Sequence, residues 1–324
     1  MKLRELLIIS MFICSIFQSN TNGQARPQRS GRSRFDPQND FIVTNKVNLG
    51  LKYNFFVPGD MPRLSVIVAL PRTLPDRQKI LSTKFSIRPT RMINENGNRY
   101  AEYVFINPDK KIEIEISMKI ELFRYDLFTA QNKRIRSRSK GPGFSDFLQK
   151  EKYLEIDNPE IRKIAESIEE GTQLETVRNI YNYVIDNMEY TSIGRRDLGA
   201  AKALRQGKGD CTEYSDLFVA LCRARGIHAR SCVGYTVQHD VSQSRHNWAE
   251  VYLDDYGWVP FDLIWGNRKD PFFREQAFSR LSPVYIYLSY LRNDEVLHNY
   301  QFICYNYSGD KVRLTESIEF TFDD

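Results

Sequence analysis

Partway along the chain the hydrophobic period changes from two to about 3.6, and this change constrains the fold more than any other feature. Val47, Leu49, Leu51, Tyr53 and Phe55 alternate with mostly polar neighbours, as do Ile112, Ile114, Ile116 and Met118. Leu64 to Leu70 is an apolar run closed by Pro71, and Tyr100 to Ile106 follows a turn rich in Asn and Gly. Short strands separated by Gly, Pro and Asn predict an antiparallel β-sandwich of immunoglobulin-like size over residues 41–130. Beyond residue 150 the spacing becomes helical. Pro159 opens one helix, with Ile161, Ile164, Ala165 and Ile168 on one face. A second carries Val177, Ile180, Tyr181, Val184 and Ile185, a short one covers Ala200 to Arg205, and a fourth runs from near Cys211 to a stop at Gly226. Strands return at Ala229 to Val237, Asn247 to Leu253 and Trp258 to Phe261, then near Val284 to Tyr290, Tyr300 to Tyr307 and Val312 to Phe322. Helices followed by an antiparallel sheet predict an α+β domain over 151–324.

Residues 1–25 stand apart from this folded pattern. Lys2 and Arg4 precede an uncharged run from Leu6 to Phe17, and small residues Gly23 and Ala25 precede a cut after Ala25. That layout is a secretory signal peptide, so export to the periplasm or beyond is expected. Arg26, Arg29, Arg32 and Arg34 lie in a Pro/Ser/Gly-rich stretch read as a basic flexible tail, 26–40. Lys133, Arg134, Arg136, Arg138 and Lys140 mark a basic linker, 131–150. The formal net charge is +5, but these two stretches hold nine of the positive charges, so the rest of the mature chain is net acidic and no nucleic-acid groove is expected. After signal removal no stretch approaches the ~20 apolar residues of a transmembrane segment. Five cysteines in 324 residues are too sparse for a disulfide scaffold, and whether Cys222, Cys232 and Cys304 pair stays open.

The stretch from Gly207 to Glu213 carries the strongest chemical signal. Gly207 and Gly209 give an open loop where a substrate chain can approach the backbone. Cys211 falls in the first turn of a predicted helix, where unpaired N–H groups and the positive end of the dipole favour a thiolate and can stabilise an oxyanion. The plainer alternative is a small buried thiol. His246 to Asp262 reads as a hairpin with its turn at Asp254 to Gly257, which brings His246 and Asp262 to the same open end. A thiol nucleophile needs this partnership: the carboxylate orients and stabilises imidazolium while the other ring nitrogen takes the thiol proton. Trp248, on the same strand face as His246, either walls a substrate site or packs in the core. Tyr190 either offers its hydroxyl to the site or is core. His228, His239 and His298 match no zinc spacing, and no metal or cofactor is expected.

Four blocks together resemble the bacterial transglutaminase-like superfamily. They are Gly209-Asp210-Cys211-Thr212-Glu213-Tyr214-Ser215-Asp216-Leu217-Phe218, then Ala224 to Arg230, then His246-Asn247-Trp248-Ala249-Glu250-Val251-Tyr252-Leu253, then Trp258-Val259-Pro260-Phe261-Asp262. Val184 to Tyr190 resembles the helix end that precedes this core, and Leu64 to Gln78 looks like the β-domain that precedes it in exported members. The resemblance is sharp from Asp157 to Asp262 and implies a papain-like α+β core. It implies Cys211 as nucleophile, His246 as base and acid, and Asp262 as orienter. The activity it implies is thiol-dependent acyl transfer on amide bonds of proteins or peptides, through a thioester acyl-enzyme. Hydrolysis, as by a cysteine protease or amidase, is preferred. Transamidation by a transglutaminase and a non-catalytic module that binds surfaces through the β-sandwich are the alternatives. Because the sandwich holds no cysteine or histidine, a chain starting near Gly143 is expected to keep the chemistry.

Overall fold

The first strand shows why the sequence pattern worked. Residues 47, 49, 51, 53 and 55 all point into one apolar core, and the residues between them stay partly exposed. The computed structural model describes residues 43–57, 59–127, 143–194, 197–237 and 244–322. The expected signal peptide, the basic tail, most of the basic linker, and His239 lie outside the described residues.

Six strands come first: β1 (Val43–Phe56), β2 (Arg63–Leu70), β3 (Gln78–Phe85), β4 (Arg91–Glu95), β5 (Asn98–Ile106) and β6 (Lys111–Phe123). A two-residue strand β7 (Tyr125–Asp126) follows. Next come helices α1 (Pro159–Ser167) and α2 (Gln173–Asn187), strand β8 (Glu189–Tyr190), helix α3 (Ala200–Gln206), strand β9 (Lys208–Gly209) and helix α4 (Cys211–Ala224). Strands β10 (Ala229–Thr236), β11 (Arg245–Leu253) and β12 (Gly257–Phe261) lead to short helices α5 (Leu263–Gly266) and α6 (Pro271–Ala277). The chain closes with β13 (Arg280–Leu281), β14 (Tyr285–Ser289), β15 (Ile303–Ser308) and β16 (Arg313–Phe322).

The helix starts follow local chemistry. Asn158 caps α1 by accepting from Glu160 N at 2.9 Å, with Pro159 in the first turn. Thr172 and Glu175 form a reciprocal capping box on α2. α1 ends at Ser167, with Ile168 capping it in extended conformation.

Two four-stranded antiparallel sheets, ordered β16-β1-β6-β3 and β15-β2-β5-β4, share one core and form a β-sandwich. This redraws the expected boundaries. The stretch 151–324 was read as one catalytic domain, but its last two strands belong to the sandwich: Leu51 pairs with Ile318 and Val66 with Tyr305. Hydrophobic alternation reports that a strand has a buried face, not which sheet it joins, so connectivity this distant has no local signal.

A third four-stranded sheet, β12-β11-β10-β14, lies between helices and sandwich. On one face, Cys232, Trp248, Tyr285 and Tyr287 pack into the helical core; on the other, Val233, Tyr235, Ile286 and Leu288 pack into the sandwich core. Every residue of β10 is buried as a result. Gly234 meets a steric demand within it: a Cβ there would lie 1.9 Å from the Ile286 carbonyl oxygen and 2.8 Å from Trp248 Cη2.

Candidate active site

α4 presents Cys211 as its first residue, with the side chain partly exposed. Asp210 caps the helix, accepting from Thr212 N at 3.0 Å and from the backbone of Glu213, whose own Oε2 accepts from Asp210 N at 3.1 Å. The cap therefore takes two of the first-turn amides that the sequence offered to an oxyanion, and leaves that of Cys211. From Glu213 to Arg223 every residue of α4 is buried, so the helix that carries the thiol is the centre of the domain.

His246 stands on β11 and Asp262 just past the end of β12. The pairing of Ala249 with Phe261 sets this register and brings the two side chains together. His246 Nε2 and Asp262 Oδ2 lie 2.8 Å apart, and the imidazole also makes a side-chain hydrogen bond with Cys211. With Nε2 engaged by Asp262, Nδ1 is the nitrogen left for the thiol. Burial disfavours the imidazolium, but the charge and hydrogen bond of Asp262, with Cys211 adding to them, outweigh it and hold His246 well above the ordinary histidine range. Burial likewise pushes Asp262 up, but His246 and the surrounding donors hold it below the usual carboxylate range.

Tyr285, which sequence reading missed, completes this environment. Its hydroxyl donates to Asp262 Oδ2 at 2.6 Å, while Oδ1 accepts from Ile264 N and Trp265 N at 2.9 and 3.0 Å. Tyr285 lay within a predicted strand, but only the pairing of β14 with β10 brings it to Asp262, and no spacing in the sequence encodes that. A second fixed group is Tyr214 on α4. Its hydroxyl donates to the Met188 carbonyl at 2.6 Å and accepts from Asn267 Nδ2 at 2.7 Å, tying the segment before Tyr190 to the turn after Asp262.

The three other site residues read from sequence divide. Tyr190 is 52% exposed and pairs with Gly209, two residues before Cys211; burial raises its phenol above the ordinary value, and the charges of Cys211 and Asp210 add to this. Trp248 is 0% exposed, so its reading as a substrate-binding wall is corrected: the indole is core, stacked under the His246 ring at 6.0 Å between centroids. Gly209 is also corrected. It is buried, and a Cβ there would fall 2.3 Å from Glu213 Cβ, so it admits the capping side chain rather than a substrate chain. Cys222 and Cys232 are free, buried thiols, both raised by desolvation.

A thiol stands at the head of a buried helix, an imidazole on the neighbouring sheet and a carboxylate behind that imidazole, an arrangement in which the imidazole can accept the thiol proton. Residues 162–263 match the family model of the transglutaminase-like superfamily. An uncharacterised protein of Haemophilus influenzae is 32% identical over 118 residues, covering 29% of this chain and 32% of that protein. The human kyphoscoliosis peptidase is 32% identical over 111 residues, covering 31% of this chain and 17% of its own length. The chain thus spans a third or less of these relatives. A crystal structure of a proposed cysteine protease from Cytophaga hutchinsonii superposes with a TM-score of 0.61 at 18% identity, covering 86% of this chain and 91% of that one, and shares its fold.

Proposed function

We propose that this chain is an exported thiol enzyme that cleaves amide bonds in proteins or peptides through a Cys211 thioester. The observation that carries the reading is His246, held between the Asp262 carboxylate and the Cys211 thiol. His246 takes the thiol proton, and the sulfur attacks the carbonyl carbon. The Cys211 N–H faces the developing oxyanion, with the Tyr190 hydroxyl as a second donor. The imidazolium then protonates the leaving amine, and water attacks the thioester with His246 again as base. Asp262 keeps the ring oriented and stabilises its charge without taking the proton. Partial exposure of Cys211 and Tyr190 supports hydrolysis over transfer to an amine, because water has access to the thioester. Export is proposed from the N-terminal signal and calls for a mature chain beginning at Arg26.

Iodoacetamide labelling near neutral pH tests the enzyme reading. Cys211 is expected to react much faster than Cys222, Cys232 and Cys304, which are all buried. Uniformly slow reaction of all four contradicts an activated thiol and favours a binding module.

A further inference from the structure

A cleft of about 890 Å³ is bounded by Ile193, Asp197 and Leu198, by α3 and by the turn 298–302. It borders the triad elements on two sides. Leu198 in its wall donates its N–H to Glu213 Oε1 on α4 at 3.1 Å, and Arg245, another wall residue, immediately precedes His246.

Two features single the cleft out. The first is backbone strain. Six non-glycine residues among those described have positive φ, and three of them line this cleft: Tyr153 at 73°, His298 at 51° and Asn299 at 66°. Such conformations cost free energy and cluster where a surface is held ready for a ligand. They are firmly held here. The Tyr153 carbonyl accepts from Ala200 N at 2.8 Å, and its ring lies 4.3 Å from the Arg292 guanidinium. The 298–299 turn hangs on buried Asp294, whose backbone carbonyl accepts from Asn299 N at 2.7 Å and whose carboxylate accepts from Tyr100 at 2.7 Å and from Leu297 N at 3.1 Å.

The second feature is charge. Among the described lining residues, Lys152, Lys202 and Arg245 face the cleft, against a single carboxylate, Asp197. Asp197 is engaged by Arg292 at 3.2 Å and Arg245 by Glu316 at 2.6 Å, so Lys152 and Lys202 set the residual field. Gln301 Nε2, also in the lining residue set, is a buried donor without a hydrogen-bond partner. Two ammonium groups and a free amide donor call for a ligand that supplies acceptor oxygens and negative charge.

We propose that this cleft binds a carboxylate-rich segment of the polypeptide substrate, with Lys152 and Lys202 as its specificity-determining cations. The occupant's being a substrate rests on the thiol-enzyme reading; its acidic chemistry rests on the cleft. Fluorescein-labelled hexaglutamate and hexaglutamine peptides, titrated by anisotropy into the full mature chain, test the chemistry. Hexaglutamate is expected to bind more tightly, and its binding to weaken at about 1 M salt, where the Debye length is about 3 Å. The Lys152→Glu/Lys202→Glu double variant, at exposed positions, is expected to lose roughly tenfold or more in hexaglutamate affinity. Its urea transition, and its Cys211 acylation by p-nitrophenyl acetate, which is too small to need the cleft, are expected to match wild type. Equal binding of the two peptides, or hexaglutamate affinity unchanged by the double reversal, overturns the proposal. Failure of p-nitrophenyl acetate to acylate Cys211 while hexaglutamate still binds removes the enzyme reading and leaves the acidic-segment site standing.

Discussion

Asp262 accepts from four donors: His246, the Tyr285 hydroxyl and the amides of Ile264 and Trp265. A buried carboxylate so engaged stays charged and keeps the imidazole in one orientation. Tyr285→Phe removes one of these donors while keeping the ring that packs against Trp248. A charge-assisted hydrogen bond is worth about 1.5–3 kcal/mol, so kcat for acylation is expected to fall roughly tenfold with KM little changed. An unaltered kcat removes Tyr285 from the positioning role. The pH dependence of stability has a definite sign. His246 is raised, so its contribution is complete below the unfolded value of about 6.5 and is lost as pH climbs through the higher folded value. Asp262 is lowered, so its contribution holds above about 3.9 and is lost as pH falls through the lower folded value. Urea titrations across pH should therefore show the stability difference between wild type and His246→Gln shrinking on the alkaline side. A difference flat with pH contradicts the pairing. At this scale the placement of Cys211 at a helix start and the meeting of His246 with Asp262 were legible, because the hairpin brings the latter two together. Tyr285 was not, since it arrives from a strand whose partner only the fold determines.

Among the elements, β11 and β10 share a buried charge cluster. Glu250 accepts from Arg77 Nε at 3.0 Å and Arg230 Nε at 3.0 Å, and Arg230 packs over Trp258 and Tyr290. Burial pushes Glu250 up, yet the two guanidiniums outweigh it and hold the carboxyl below its usual range. Glu250→Gln leaves two buried cations short of their counter-charge, and a loss of about 3–5 kcal/mol is expected in urea unfolding. Arg91→Ala breaks an exposed pair with Glu102 and should cost less than about 1 kcal/mol. Similar losses from both contradict the distinction. Gly234→Ala forces a Cβ against the backbone of β14, and a loss of about 1–3 kcal/mol is expected. The apolar stripes of α2 and β1 were read correctly because each has one buried face. β3 and β4 were missed, being sheet-edge strands of largely polar composition with mixed exposure. α4 is buried on every face, its polar residues included: Arg292 Nε, 76 residues on, lies 2.7 Å from Asp216, and Arg223 Nε lies 2.8 Å from the nearby Ala229 carbonyl.

Among the described residues, the sandwich and the helix-bearing core are interlocked. Arg77 reaches Glu250, and Gln78 exchanges two hydrogen bonds with the Tyr287 backbone, its Nε2 donating at 2.9 Å and its Oε1 accepting at 2.8 Å. A chain starting near Gly143, expected from sequence to retain chemistry, would strip β15 and β16 of their partner strands and bare the Val233 and Ile286 face of the central sheet. Such a truncation is expected to show no cooperative unfolding transition. A cooperative transition with intact Cys211 reactivity contradicts this interdependence. The order of helices and sheet was legible from hydrophobic period. The return of the last strands into the first sheets was not, because strand pairing across more than two hundred residues leaves no trace in local spacing.

Intact-mass analysis of the full mature chain, quenched in acid after mixing with p-nitrophenyl acetate and then with peptide amides, tests the thiol mechanism most directly. One acyl group is expected per chain, mapped by peptide sequencing to Cys211, absent in Cys211→Ala, sharply slowed in His246→Ala, and released by water as free acid. Acylation elsewhere, or at an equal rate in His246→Ala, contradicts a Cys211 nucleophile activated by His246.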